Sequence, residues 1–219
     1  MFWEEFEFSE FLNRVFTMKN QLILRLFAGA FFTFTLAPCL TAGQETSITE
    51  FSQKDTNAFN WRIVDDRVMG GRSQGNMLIS EDGILTFSGN LSLENNGGFS
   101  SVRSGDVRID MSAAEGVALR VKGDGRTYEL HFSTTTRWKN RGITFAGMLP
   151  TEKGQWTEIK IPFSVFEADF RGQRVDDKRI EFDPADVREI TLELVDKNAG
   201  PFELQVDWIR TYGSNTISI

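Results

Sequence analysis

Cysteine and histidine are almost absent from this sequence of 219 residues. Cys39 is the only cysteine, and it precedes the point at which we expect a leader to be cleaved. The mature chain would then have no disulfide and no thiolate chemistry. His131 is the only histidine, and one imidazole forms neither a multi-histidine metal site nor, by itself, a catalytic triad. We predict no cofactor, no bound metal and no catalytic residue; a calcium ion held by loop carboxylates stays open as an alternative.

The sequence also lacks an excess of positive charge, since 24 Lys and Arg stand against 31 Asp and Glu, a formal net charge of −7. A nucleic-acid-binding protein needs a surplus of cations to neutralise phosphates, so we predict no nucleic-acid partner. Two glycine pairs, Gly70-Gly71 and Gly97-Gly98, could suggest a phosphate-binding loop. No helical pattern follows either pair, as such a loop requires, so we predict no nucleotide partner.

The sequence has no apolar run long enough to cross a bilayer as a helix, which takes roughly 20 residues. Residues 18–43 instead have the pattern of a secretory signal peptide. Met18–Arg25 is short and positively charged, Leu26–Leu36 is apolar and uncharged, and Thr41–Gly43 supplies small residues for cleavage. We therefore expect cleavage near Gly43 and a secreted or periplasmic protein. The alternative is a membrane anchor formed by the uncleaved leader.

One segment precedes the predicted signal peptide, and a domain and a tail follow it. Residues 1–17 are acidic and aromatic, unlike the start of a signal peptide. We interpret them as an upstream extension, or as the result of a start assigned too early, with translation beginning at Met18. Residues 48–212 form a single predicted domain without an internal repeat or linker, and residues 213–219 are expected to be a loose tail.

Short alternating strands separated by turn residues fill the predicted domain. Alternation is clear at Gly116–Lys122, Tyr128–Ser133 and Glu189–Val195, and no helix of useful length recurs between strands. This pattern predicts an all-β protein with a jelly-roll β-sandwich. Short helical turns are expected at Pro162–Phe166 and at Asp183–Asp186, where Asp183 is a suitable N-cap before a proline.

Several polar, glycine-containing motifs punctuate these strands. They are Asp65–Ser73, Phe87–Leu91, Asn96–Arg103, Lys122–Tyr128, Trp156 with Ile161–Phe163, and Phe170–Gly172. In this order and spacing they resemble the complex I intermediate-associated protein 30 family, over nearly all of the span from Phe51 to Ile209. The resemblance implies a galactose-binding-like jelly roll. Mitochondrial members of that family act as assembly chaperones for respiratory complex I.

The motifs supply the candidates for a binding surface. Asp66 and Arg67 could line a polar contact surface, although Asp66 could equally cap a turn or pair with Arg67 or Arg72. Trp138 lies among basic residues, which suits a partner contact or a sugar ring as well as a loop tryptophan tucked against the sandwich. The full tentative set is Asp66, Arg67, Arg72, Arg103, Asp124, Arg126 and Trp138.

These observations favour a non-catalytic interaction or assembly-factor domain that acts on a protein partner outside the cytoplasm. The alternative is a carbohydrate-binding module of the jelly-roll type, and an enzyme that uses Asp66 and Asp124 is a weaker third hypothesis. An exposed tryptophan among converging polar side chains would favour sugar. An apolar patch rimmed by arginine would favour protein.

Overall fold

The computed structural model describes residues 44–52 and 58–214, and all elements below lie within those ranges. The signal peptide expected at 18–43, the segment 1–17 and most of the expected tail lie outside them. The strands are β1 (Gln44–Thr49), β2 (Arg62–Asp65), β3 (Gln74–Ile79), β4 (Leu85–Leu91), β5 (Ser100–Arg103), β6 (Gly116–Lys122), β7 (Thr127–Trp138), β8 (Arg141–Pro150), β9 (Trp156–Pro162), β10 (Glu167–Asp169), β11 (Glu189–Leu194) and β12 (Gly200–Ser214).

The strands form two antiparallel sheets that pack face to face. Sheet A has the order β3-β4-β12-β6-β9, with β1 also paired to β12, and sheet B has the order β10-β8-β7-β11-β5-β2. The alternation within each strand explains the packing, because one side of the pleat is apolar. In β6 and β7 the inward side chains Val117, Leu119, Leu130 and Phe132 have no exposed surface. The predicted all-β jelly-roll sandwich is confirmed.

Local predictions were mostly right, with informative exceptions. The predicted strand Gly116–Lys122 is β6 itself, and Asp183 caps its short 3₁₀ turn by accepting a hydrogen bond from the amide of Ala185 at 3.0 Å. Strands β3 and β8 were missed. Trp156, at the start of β9, is half-buried and lies beside the guanidinium of Arg120, whose carbon is 4.9 Å from the ring centroid.

Two connections pass from one sheet to the other and determine where the motifs meet. The segment Asp66–Ser73 leads from the edge strand β2 of sheet B to the edge strand β3 of sheet A. Residues Ser92–Phe99 lead from β4 back to β5. Since β2 pairs with β5 and β3 pairs with β4, the two connections lie side by side. None of the helical segments in the described part of the chain has the length and apolar character needed to cross a bilayer.

Candidate functional site

The two crossover connections are joined by one buried carboxylate, Asp66, which has no exposed surface. Its Oδ1 accepts the Ser73 amide at 2.9 Å, and its Oδ2 accepts the Ser73 hydroxyl at 2.6 Å. The same Oδ2 accepts the Gly98 amide at 2.7 Å and, at 3.4 Å, the Phe99 amide. A single side chain therefore satisfies donors from both connections, although Gly98 lies 32 residues from Asp66 in the sequence.

These hydrogen bonds determine the protonation state of Asp66. Burial alone would raise the pKa of its carboxyl, but the hydrogen bonds from Ser73, Gly98 and Phe99 outweigh it and lower that pKa below the ordinary value of 3.8. Asp66 is thus an anion held by dipoles, and neither Arg67 nor Arg72 pairs with it among the described residues. The expectation that Asp66 lines an accessible contact surface is wrong, because the side chain is buried and positions the loops.

The glycine pairs serve this arrangement in two ways. Gly70 and Gly98 have φ values of +91° and +119°, which favour glycine over other residues. Gly71 and Gly97 are needed for close approach. A Cβ on Gly71 would lie 2.4 Å from the Asp66 carboxyl carbon, and one on Gly97 would lie 2.5 Å from its Oδ2. Each pair therefore combines one turn position with one contact position.

The outer surface of the two connections carries exposed apolar side chains among polar ones. Val68 and Met69 are 73% and 64% exposed, and Leu93 on the neighbouring connection is 43% exposed. We call the exposed side chains of Arg67, Val68, Met69, Arg72 and Leu93 the loop platform. Arg72 pairs with Glu94 at 3.2 Å, whereas Arg67 is exposed and has no ion-pair partner within residues 44–52 and 58–214. The platform thus combines three exposed apolar side chains with two exposed arginines on adjoining connections.

Asp124 and Arg126, the next predicted site residues, also have a structural role. The Arg126 guanidinium donates to both oxygens of Asp196, at 2.9 and 2.6 Å, and to carbonyl groups of the β11–β12 turn. Asp124 accepts the Tyr128 hydroxyl at 3.1 Å and the Glu203 amide at 3.0 Å. These contacts tie the β6–β7 turn to the β11–β12 turn. The two predicted binding residues are therefore engaged in holding the turns together.

Arg103 and His131 lie apart from the loop platform, on the outer face of sheet B. His131 shares that face with Glu129, two residues earlier on the same strand, and is only 4% exposed. Its Nε2 is 2.8 Å from Glu129 and 3.3 Å from Glu193, and its Nδ1 is 3.1 Å from the Thr144 hydroxyl. Arg103 lies farther along the face, its Nε donating to a neighbouring serine hydroxyl at 3.2 Å.

The carboxylates around His131 control its charge. Burial alone would lower the pKa of the imidazole, but the hydrogen bond to Glu129 and the charge of Glu193 raise it above the ordinary value of 6.5. The sequence missed Glu193, since only the pairing of β7 with β11 brings it beside His131. No cluster of three or more histidine, cysteine, aspartate or glutamate side chains placed to bind a metal occurs within the described ranges.

Trp138, the last predicted site residue, is half-buried at the end of β7. Its ring centroid is 5.8 Å from that of Phe170, and the Lys139 ammonium lies 4.2 Å from its centroid. The structure thus separates the predicted site residues into the Asp66 connections, the Arg126 turn, the face of sheet B and the Trp138 loop. It brings Asp66, Arg67 and Arg72 together in one group and Asp124 and Arg126 together in another.

The two packed antiparallel sheets belong to the class of galactose-binding-like jelly rolls. Within that class the family is also defined: the family model described as complex I intermediate-associated protein 30 matches residues 49–206. The chain therefore belongs to the complex I intermediate-associated protein 30 family, as the motifs indicated.

Two curated relatives illustrate the family. A probable complex I intermediate-associated protein 30, mitochondrial, of Caenorhabditis elegans is 29% identical over 177 residues, which cover 71% of this chain and 51% of the relative. The mouse complex I intermediate-associated protein 30, mitochondrial, is 27% identical over 187 residues, which cover 77% and 56%. The chain thus spans about half the length of these relatives. Because they are mitochondrial, the predicted secreted or periplasmic location is wrong.

Two solved structures have the same fold. The family 11 carbohydrate-binding module of the cellulase Lic26A-Cel5E of Clostridium thermocellum superimposes with a TM-score of 0.58 at 15% identity, covering 79% of this chain and 96% of the module. A family 11 module from the same organism, in complex with a mixed-linked tetrasaccharide, gives 0.57 at 14% identity, covering 80% and 98%. At such identities the likeness concerns the fold alone.

Proposed function

We propose that this chain is a non-catalytic interaction domain of an assembly factor and that it binds a protein partner through the loop platform. The observation that carries the proposal is the exposure of Val68, Met69 and Leu93 above a buried carboxylate that fixes both connections. The names of the curated relatives, which refer to complex I intermediates, support an intermediate of complex I as the partner.

The physical case depends on how much the platform could contribute to binding. Fully burying an exposed Val, Leu or Met side chain contributes about 1.5–3 kcal/mol. The connections are held by hydrogen bonds to Asp66 before any partner arrives, so binding loses little loop entropy. Arg67 at the rim has a free guanidinium among the described residues, and arginine is enriched in protein interfaces.

We do not extend the carbohydrate hypothesis to this chain. Sugar binding on a jelly roll uses aromatic rings with a free face, and the expected ring was Trp138. In the structure that ring packs against Phe170 and is covered by Lys139. The solved modules share only the fold with this protein.

A paired substitution tests the proposal. We would use the full chain as bait in a crosslinked pull-down from a mitochondrial lysate and quantify complex I subunits by mass spectrometry. The platform variant is Val68→Ser with Met69→Ser. Its control is Val165→Ser with Met148→Ser, which removes the same residue types, 51% and 59% exposed, from other parts of the surface. Both variants should keep the melting temperature of the wild type, since all four side chains are exposed.

The platform variant should recover at least about tenfold less partner, while the control recovers wild-type amounts. Equal losses in the two variants, or no loss in either, would show that the platform is not the interface. A wild-type bait that captures no complex I subunit would reject the proposed partner.

A further inference from the structure

Two basic loops that are distant in the sequence meet at one end of sheet B. One is the β7–β8 turn with its flanking residues, Arg137–Arg141, and the other follows β10, Phe170–Arg174. Strand β10 pairs with β8, which places the second loop beside the first. Their aromatic side chains, Trp138 and Phe170, are in contact, with ring centroids 5.8 Å apart. We call this surface the basic loop pair.

The aromatic rings of the basic loop pair hold cations. The Lys139 ammonium is 4.2 Å from the Trp138 centroid, and the guanidinium carbons of Arg141 and Arg171 are 5.5 and 5.4 Å from the Phe170 centroid. Such stacking fixes the plane of a guanidinium and leaves its N–H edges available. The aromatic pair therefore orders the charges that the loops present.

Most of these cations have no counter-ion. Arg137, Lys139, Arg141 and Arg171 are exposed, and within residues 44–52 and 58–214 none of them forms an ion pair. Only Arg174 is paired, to Glu167 at 2.6 Å. Four unpaired cations in a small area are unusual on a chain whose formal charge is −7. The unpaired cations outnumber Asp169, the carboxylate beside them whose Oδ1 accepts the Gly172 amide at 2.9 Å. The local charge is thus opposite in sign to the net charge of the chain, which favours an anionic partner.

The backbone holds the cations in tight turns. Lys139 and Asn140 have φ values of +47° and +63°, and Arg171 has φ of +57°. These left-handed conformations are disfavoured for residues other than glycine, yet the turns use charged side chains there. The sequence thus keeps positive charge at positions where glycine would be easier to accommodate.

We propose that the basic loop pair is a second docking surface, which binds an acidic segment of a protein partner. Carboxylates of such a segment would accept paired hydrogen bonds from the stacked guanidiniums of Arg141 and Arg171. A membrane surface fits less well, because the β7–β8 turn presents the polar side chain of Asn140 at its tip while the aromatic rings are half-buried. A nucleic acid fits less well too, since the rings that bases would stack on are covered by cations.

A peptide-binding measurement on the full chain tests this surface. The probe is a fluorescein-labelled polyglutamate peptide, and its anisotropy is followed at low ionic strength. The variant Lys139→Glu with Arg141→Glu is compared with Arg108→Glu with Lys153→Glu, which makes the same change in net charge at exposed residues elsewhere. We expect about tenfold weaker peptide binding for the first variant and nearly wild-type binding for the control. Added salt should weaken wild-type binding.

The outcomes separate this proposal from the alternatives. Equal weakening in both variants, or no binding of polyglutamate by the wild type, overturns it. Vesicles of phosphatidylcholine with phosphatidylserine form a second arm: if they bind the wild type while the peptide does not, the surface is a lipid contact. The platform variant Val68→Ser with Met69→Ser should bind the peptide like the wild type. Loss of peptide binding in the platform variant would contradict the separation of the two surfaces. The pull-down described above tests the loop platform alone, so the two proposals can fail independently.

Discussion

Asp66 and Arg126 each join two loops of the sandwich, but they do so with opposite electrostatics. Asp66 is a buried anion that accepts hydrogen bonds from two backbone amides and a hydroxyl within 2.9 Å, with no cation beside it among the described residues. Arg126 is a cation paired in bidentate fashion with Asp196, and it also donates to carbonyl groups. One centre relies on dipoles, and the other relies on an opposite charge.

The side chains on the surface differ between the Asp66 connections and the turns joined by Arg126. Amides and a hydroxyl stabilise the charge of Asp66, so the connections around it need no buried arginine. Their outer positions can therefore hold apolar side chains. Val68 and Met69 occupy those positions. At Arg126 the charged partners themselves fill the space between the turns. The polar residues of both motifs therefore build the loops, and the candidate contact residues are their exposed neighbours.

Removing the Asp66 carboxylate should have the largest effect on stability. Asp66→Ala would leave the Ser73 and Gly98 amides buried without an acceptor. The Ser73 hydroxyl, which now donates to Asp66 at 2.6 Å, would keep only the Ser92 carbonyl at 3.2 Å. Each lost bond to a charged acceptor costs about 1.5–3 kcal/mol, with partial relaxation, so we expect a total of about 3–5 kcal/mol. Denaturant unfolding of the variant and the wild type measures this difference.

The same carboxylate predicts part of the acid sensitivity. The pKa of Asp66 is lower in the folded protein than its ordinary value of 3.8, so its contribution to stability is present above that value. It is lost as the pH falls through the lowered folded pKa. Asp66→Asn should therefore lose less stability than the wild type between neutral and acidic pH. An identical pH profile, or an Asp66→Ala variant as stable as the wild type, would show that the carboxylate is dispensable.

Removing the Arg126 guanidinium should lower the free energy of unfolding by less than removing the Asp66 carboxylate. Arg126→Met keeps much of the side-chain volume and leaves Asp196 without its bidentate partner. Arg126 and Asp196 retain 14% and 13% side-chain exposure, so water can reach the group that is left. We expect a loss of about 2–3 kcal/mol in the free energy of unfolding. A larger loss than that of Asp66→Ala would reverse the comparison between the two centres.

The sequence alone predicted the features that neighbouring residues determine, such as strand positions and helix caps. Alternation located β6, and the proline after Asp183 indicated its capping role. The partners of Asp66 were out of reach, because Gly98 lies 32 residues away and the contact exists only once two connections cross between sheets. The buried position of Asp66 depends on the same crossing, so a motif with two aspartates suggested an exposed site.

The contact of Trp138 with Phe170 and the location of the protein also could not be predicted from local sequence pattern. Trp138 was recognised as lying among basic residues, yet only the pairing of β8 with β10 brings Phe170 beside it. The predicted location was based on residues 18–43, where positive charge followed by an apolar run indicates a targeting segment. Such a local pattern does not name the compartment, and the mitochondrial relatives overturned the secreted or periplasmic interpretation.

Gly71 lies so close to Asp66 that replacing it should lower stability, although by less than removing either the Asp66 carboxylate or the Arg126 guanidinium. A Cβ on Gly71 would lie 2.4 Å from the Asp66 carboxyl carbon, so Gly71→Ala must displace the carboxylate or the connection, at a cost of about 1–3 kcal/mol. Gly142→Ala is the control, since an added Cβ there meets no atom within 4 Å. We expect the Gly142 variant to unfold like the wild type. Because the displaced connection carries Val68 and Met69, the Gly71 variant should also recover less partner in the pull-down, and full recovery would show that binding tolerates a shifted platform.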